Sequence, residues 1–264
     1  MKRVVFIVLM SLSLNANNLV EDIASTSLMS SQKSFESGSY DLKDNSDLDD
    51  FHFSFRYNFE SDSSINYFIG SSVGLNSYTN PVTTLELDST VLSIEGGGRL
   101  KLNDSSYLSI ATGIIYSDIE TNLIANKDLD ALTYQANIRY DYENSINDYD
   151  MYMTLFSGYY YTKVDDLAVD NSSSIISHIK VGGYSPELIQ IYNLPFKVEL
   201  YAQETFLSKD ISDNLDIDNF TTVGMAFHLY TNTIVPLVDN VYLDINYVKG
   251  DNIEGLHIGL ALSF

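Results

Sequence analysis

The chain has no cysteine and no tryptophan, and only 14 lysines and arginines stand against 36 aspartates and glutamates. Without cysteine there is no disulfide framework, no thiolate-bound metal and no lipid-modified N-terminal cysteine, and the redox state of the compartment is left open. A net charge of −22 argues against nucleic acid as a partner, because phosphate contacts need clustered Lys and Arg. Also missing is any apolar run approaching the roughly 20 residues of a spanning helix. Membrane insertion, if it occurs, must therefore use a closed β-barrel, the other structure that satisfies every backbone group in lipid.

What is present is a mixture. Hydrophobic residues make up 45% of the chain, yet mean hydropathy is −0.04, because Ser, Asn and Asp are interleaved with the apolar residues. The aromatic share rests on Tyr 20 and Phe 13, and amphipathic Tyr rings suit the boundary between hydrocarbon and headgroup, so a Tyr girdle is expected. At the N-terminus, Lys2 and Arg3 precede an apolar stretch from Val4 to Leu12, and Leu14-Asn15-Ala16 supplies a small residue for cleavage. This predicts a secretory signal over 1–16, followed by a polar lead-in over 17–32 and a single barrel domain over 33–264.

From Phe51 onward the dominant period is two. Phe51, Phe53, Phe55, Tyr57 and Phe59 share one face, opposed by His52, Ser54, Arg56 and Asn58. Leu132, Tyr134, Ala136, Ile138, Tyr140 and Tyr142 alternate with Thr133, Gln135, Asn137, Arg139, Asp141 and Glu143. Such alternation marks half-buried strands. Several segments, such as 107–119, 130–143 and 149–162, exceed the usual strand of about 5–6 residues and meet the roughly 9–11 needed to cross a bilayer at a tilt. The predicted strands are 51–59, 65–75, 89–102, 107–119, 130–143, 149–162, 174–191, 196–207, 219–231, 241–248 and 254–264. Bacterial barrels have an even strand count, so parity calls for one more strand over the polar stretch 33–41. The fold class is all-β, an antiparallel up-and-down transmembrane barrel of about 12 strands. Ser185-Pro186-Glu187 interrupts 174–191 and predicts a bulge or an early strand end there.

The sequence stops inside a strand, with Leu256, Ile258, Leu260, Leu262 and Phe264 on one face. Here it resembles bacterial outer-membrane β-barrels of the porin-like class, whose last strand carries a polar-x-Gly-x-x-hydrophobic-x-aromatic signal matched by His257, Gly259, Leu262 and Phe264. The resemblance implies residence in the outer membrane of a Gram-negative bacterium, with outer-membrane lipid and the barrel-assembly machinery as partners.

The alternation aims Arg56, Glu95, Arg99, Lys101, Arg139, Asp141, Lys180, Lys197, Glu199 and Asp244 into the lumen and leaves few large apolar groups there. These are the candidate pore-lining residues. An open wet pore and a lumen plugged by ion pairs both fit that pattern. His52, His178, His228 and His257 also face inward, but none has a close acidic neighbour at a metal or catalytic spacing. Ser177 and His178 point to opposite faces and cannot share a proton. No catalytic or metal residue and no cofactor is implied. The predicted outer loops are acidic, with Asp44, Asp47, Asp49 and Asp50 in the first, Asp165, Asp166 and Asp170 in the fourth, and Asp210, Asp213 and Asp216 in the fifth. Ordinary solvation explains such runs, and the alternative is divalent cations held at the mouth. The function expected is a small channel for diffusion of small solutes; the alternatives are an outer-membrane hydrolase of lipid or peptide, and a closed surface barrel.

Overall fold

Strands that expose apolar side chains on one face and polar ones on the other need lipid outside and polar company within. The computed structural model meets that need by closing the sheet on itself. It describes residues 32–42, 47–59, 64–80, 85–121, 129–164, 171–208, 218–231, 240–251 and 253–263. The predicted signal peptide, nearly all of the polar lead-in, the assembly-signal residue Phe264, and the loop residues Asp44, Asp165, Asp166, Asp170, Asp210, Asp213 and Asp216 lie outside the described residues.

The elements are β1 (Gln32–Leu42), β2 (Asp47–Phe59), β3 (Ile65–Asn80), β4 (Leu85–Asn103), β5 (Ser106–Thr121), β6 (Leu129–Ile146), β7 (Tyr149–Val164), β8 (Ser172–Tyr184), β9 (Ile189–Ile191), β10 (Leu194–Leu207), β11 (Asn219–Tyr230), β12 (Asn240–Gly250) and β13 (Ile253–Ser263). Neighbours in sequence pair antiparallel, and β1 closes the barrel against β13 over a register running from Gln32↔Ser263 to Leu42↔Ile253. The wall has twelve strands. The short β9 pairs only with β10 and continues the line of β8 after an interruption at 185–188. The step from Tyr184 to Ile189 faces the shorter step from Glu199 to Phe196 on β10. Backbone bonds from Ser185 N to Val198 O at 2.8 Å and from Leu188 N to Phe196 O at 3.0 Å hold the irregular segment to the wall. Pro186 has no N–H to give to a ladder, and Glu187 ends up exposed, accepting from Gln190 Nε2 at 2.8 Å.

The polar stretch over 33–41 is a full wall strand, β1, paired on both edges. Several other strands run beyond their predicted ends. β2 begins at Asp47, so Asp47, Asp49 and Asp50 are strand residues and not loop residues, and β3 and β4 extend to Asn80 and from Leu85. The alternation survives there with polar residues on both faces, which hydrophobic periodicity cannot register. At the opposite, inner end the connections are tight. Asn147 and Asp148 have φ of 51° and 69°, and Tyr192 and Asn193 have φ of 53° and 64°. Consecutive positive φ values make two-residue type I′ hairpins, whose twist matches the strands.

The outer surface carries the lipid belt. Ile94, Ile110, Ile114, Ile138, Leu200, Leu243 and Ile258 are among its exposed apolar side chains. Tyrosines flank it: Tyr57, Tyr67, Tyr142 and Tyr149 toward the inner rim, Tyr116, Tyr134, Tyr159 and Tyr247 toward the outer. Tyr116 donates to Asp130 and Tyr247 to Glu254, which places each hydroxyl among carboxylates above the belt.

Candidate functional site

The lumen is built by the second face of the same strands, so each residue whose neighbours contact lipid points inward. His52, Ser54 and Arg56 on β2, Ser93 and Glu95 on β4, and Gln135, Asn137, Arg139 and Asp141 on β6 are all buried there. Ser177, by contrast, bonds Ser157 Oγ at 2.9 Å on the other face from buried His178.

The charged side chains gather in three groups. On β4 and β6, Arg139 Nε donates to Asp141 Oδ1 at 2.7 Å, and Thr154 Oγ1 on β7 donates to the same oxygen at 2.9 Å. Arg99 Nη2 stands 3.8 Å from Asp141 and 3.7 Å from Glu143, with its guanidinium 4.0 Å from the centre of the Tyr107 ring. Glu95 Oε2 takes a long 3.4 Å bond from Gln135 Nε2, while Arg56 stacks its guanidinium 3.8 Å over Phe68.

In the inner half, Glu199 on β10 is the hub of a second group. It accepts from the Tyr152 hydroxyl, lies 2.9 Å from His228 Nε2 and stands 3.9 Å from Lys180 Nζ. Asn240 Nδ2 is 2.8 Å from the other nitrogen of His228, and Tyr242 stacks on that ring at 4.8 Å between centroids. Lys197 Nζ donates to Asp150 at 3.1 Å near the inner rim. A third group climbs toward the outer end. Lys180 Nζ is 3.7 Å over the Tyr201 ring, the Tyr201 hydroxyl donates to Asp244 at 2.8 Å, and Asn246 bridges Asp244 at 3.1 Å to His257 Nδ1 at 3.0 Å.

Of the predicted lumenal residues, Arg56, Glu95, Arg139, Asp141 and Glu199 are buried, and Arg99, Lys180, Lys197 and Asp244 are half-buried. Lys101 sits at the inner rim with its side chain 49% exposed, paired to Asp104 at 2.9 Å in the β4–β5 turn. That pair holds the Asp104 carboxyl below its ordinary range, and the Lys101 ammonium above its own, by hydrogen bonding. The expectation of few large apolar groups inside is corrected: Val91, Ile115, Tyr160 and Ile176 form a buried cluster on the inward face, with Leu207 against it. Sequence periodicity hid it because Val91-Leu92, Ile114-Ile115 and Ile175-Ile176 are apolar doublets that serve lumen and lipid alike. The His228–Glu199 contact was also missed, since 29 residues separate its partners.

The outer rim of β2–β5 holds a recess of about 380 Å³ bordered by Asp49, Asp50, Asp88, Asp118 and Glu120. Among the described residues no group of three or more His, Asp or Glu is arranged to hold a metal ion.

No protein-family model matches the chain, and no curated protein matches it in sequence. Among solved structures, the translocator domain of the autotransporter NalP from Neisseria meningitidis superimposes with a TM-score of 0.74 at 9% identity, over 96% of this chain and 97% of that one. The chain has the fold of a bacterial outer-membrane β-barrel. The β domain of the Bordetella autotransporter BrkA follows this barrel with a TM-score of 0.60 at 13% identity, over 88% of this chain and 98% of that one. The transport unit of the autotransporter AIDA-I from Escherichia coli does so at 0.52 and 11%, over 89% and 90%. Identities this low show a shared fold. The apolar belt between two Tyr girdles is the surface of a barrel that spans a membrane, as the barrels of this fold do.

Proposed function

We propose that the barrel is a porin-like channel through which small solutes diffuse. One observation carries this reading. Every lumenal hydrogen bond and ion pair named above joins residues of one strand or of wall strands at most two apart, such as Tyr152 on β7 and Glu199 on β10, flanking β8. In a wall of twelve strands the opposite side is six strands away. The charged groups therefore bond along the wall and carry both signs of charge, which supports a polar path through the barrel, narrowed where Val91, Ile115, Tyr160 and Ile176 of β4, β5, β7 and β8 pack together. The similar structures named above are a translocator domain and a transport unit, which supports a transport reading for this architecture.

The test is single-channel conductance of the refolded chain in a planar bilayer, with reversal potential under a salt gradient. Stable steps are expected, with ion selectivity that shifts in opposite directions for Arg99→Glu and Glu199→Lys. A silent barrel that has folded correctly, judged by its heat-shifted gel mobility, overturns the channel and leaves a closed surface barrel or a hydrolase.

A further inference from the structure

The polar groups of the lumen bond along the wall, whereas its apolar groups reach across it. Val91, Ile115, Tyr160 and Ile176 are 0–1% exposed and pack in one cluster, although β4 and β8, which carry the first and the last, stand four of the wall's twelve positions apart. A side chain on the concave face of an open lumen has wall neighbours at its flanks and water at its tip. Exposure this low means that the tips are covered too, so the cluster closes over part of the bore. Tyr160 lies down against the wall because Gly158 leaves it room: a Cβ there would come 2.4 Å from the Tyr160 hydroxyl. Register carries the apolar face onward. Leu207, packed against the cluster, pairs with the residue beside it, Ile176. Buried Phe220 of β11 and buried Val248 of β12 follow, each two residues toward the inner end of the perpendicular pairing, which offsets the strand tilt. Val248 pairs with Gly255, and Gly255 with buried Tyr40 of β1. Thr133 of β6, bonded to Thr162 at 2.7 Å, and buried His52 of β2 interrupt this ring.

An ion that crosses an apolar ring sheds water without receiving protein ligands in exchange, and that desolvation is costly. Hydrophobic constrictions hold ions back in this way, by dewetting. We propose that the ring at Val91, Ile115, Tyr160, Ile176 and Leu207 is the determinant of ion flux through the barrel: a dry constriction that hydrated ions cross slowly, even though charged groups line the lumen on its inner side. The proposal rests on the channel reading, since a constriction limits flux only where a path exists.

The apolar doublets supply matched controls. Ile115 and Ile176 each follow an isoleucine on the lipid face, Ile114 and Ile175, exposed by 43% and 48%. In planar bilayers the refolded full chain, Ile114→Ser and Ile175→Ser are expected to share one step size, and Ile115→Ser and Ile176→Ser to give severalfold larger steps. Steps of wild-type size from the folded inward variants overturn the constriction and leave the channel standing. Dryness has a readout of its own, because the chain has no cysteine. The single thiol of Ile176→Cys is expected to react with a charged methanethiosulfonate reagent severalfold more slowly than that of Gln203→Cys, on the half-buried lumen face of β10, with heat-shifted gel mobility showing that both variants are folded. Equal rates overturn the constriction whatever the conductance. If no protein conducts and the Ile176→Cys thiol stays protected, the ring stands as a seal and only the channel reading falls.

Discussion

Nε2 of His228 lies 2.9 Å from Oε2 of Glu199, while Asn240 Nδ2 lies 2.8 Å from the ring's other nitrogen. An amide nitrogen only donates, so Nδ1 accepts and the imidazole proton sits on Nε2, aimed at the carboxylate. Glu199 thereby ties β10 to β11 through His228 and to β7 through Tyr152, with Lys180 of β8 alongside. Replacing it by alanine strands a buried hydroxyl and an imidazole N–H at once. Glu199→Ala is expected to lower barrel stability by about 2 kcal/mol, and Glu199→Gln, which keeps an acceptor, by less. Urea unfolding in lipid vesicles, followed by unheated gel mobility, reads both. Equal stability of all three proteins would show the hub to be dispensable.

At the inner rim, outside the apolar belt, Lys101 and Asp104 face each other in water. The lysine hydrogen bond holds the Asp104 carboxyl below its usual range. A depressed carboxylate contributes stability that is present above its unfolded-state value and lost as pH falls through the folded value. The raised Lys101 ammonium has the opposite sense: its contribution is present below the ordinary lysine range and lost as pH rises through the folded value. Lys101→Met should return Asp104 to an ordinary carboxylate titration, and high salt should move it the same way. Carboxyl chemical shifts followed by NMR decide the matter, and a titration of Asp104 indifferent to both changes would contradict the pairing.

Phe68 packs against Gly97, so that a Cβ there would come 2.5 Å from the ring's Cζ and would press on the carbonyl oxygen of Ile110. The Arg56 guanidinium lies 3.8 Å from the centre of the same ring. A side chain at position 97 would therefore displace the ring against which Arg56 rests. Gly97→Ala is expected to cost about 1–3 kcal/mol by overpacking. Urea unfolding in vesicles measures the loss, and a fully stable variant would refute the close packing of Phe68 on Gly97.

These cases also show what sequence reveals and what it cannot. The face of Arg139 was legible because Ile138 and Tyr140 on either side are apolar and Gln135, Asn137 and Asp141 keep its period. Strand β1 was not legible in that way, since its outward Ser37, Ser39 and Asp41 are as polar as its interior. Only the even parity of closed barrels pointed to it. Inward Ile115 and Ile176 were hidden in apolar doublets, where a period of two has no preferred phase. The lumenal groups were readable one at a time, but their company was not. Tyr152 and Glu199 are 47 residues apart, and what brings them together is the register of three strands, which local spacing does not encode.

The lipid belt makes the last prediction quantitative. Ile138 lies at the middle of β6 and Ile146 at its inner end, both outward, with exposures of 48% and 55%. They are the same residue type on the same strand and face, so any difference between them comes from depth alone. A lysine in mid-bilayer costs about 2–4 kcal/mol, whereas near the interface the cost falls to about 0–1 kcal/mol because the ammonium reaches water. Ile138→Lys should therefore destabilise the vesicle-inserted barrel by several times as much as Ile146→Lys. The difference should disappear in short-chain detergent micelles, where no fixed hydrocarbon thickness exists. Equal effects in vesicles would place the hydrocarbon elsewhere on the barrel and shift the assignment of the Tyr girdles.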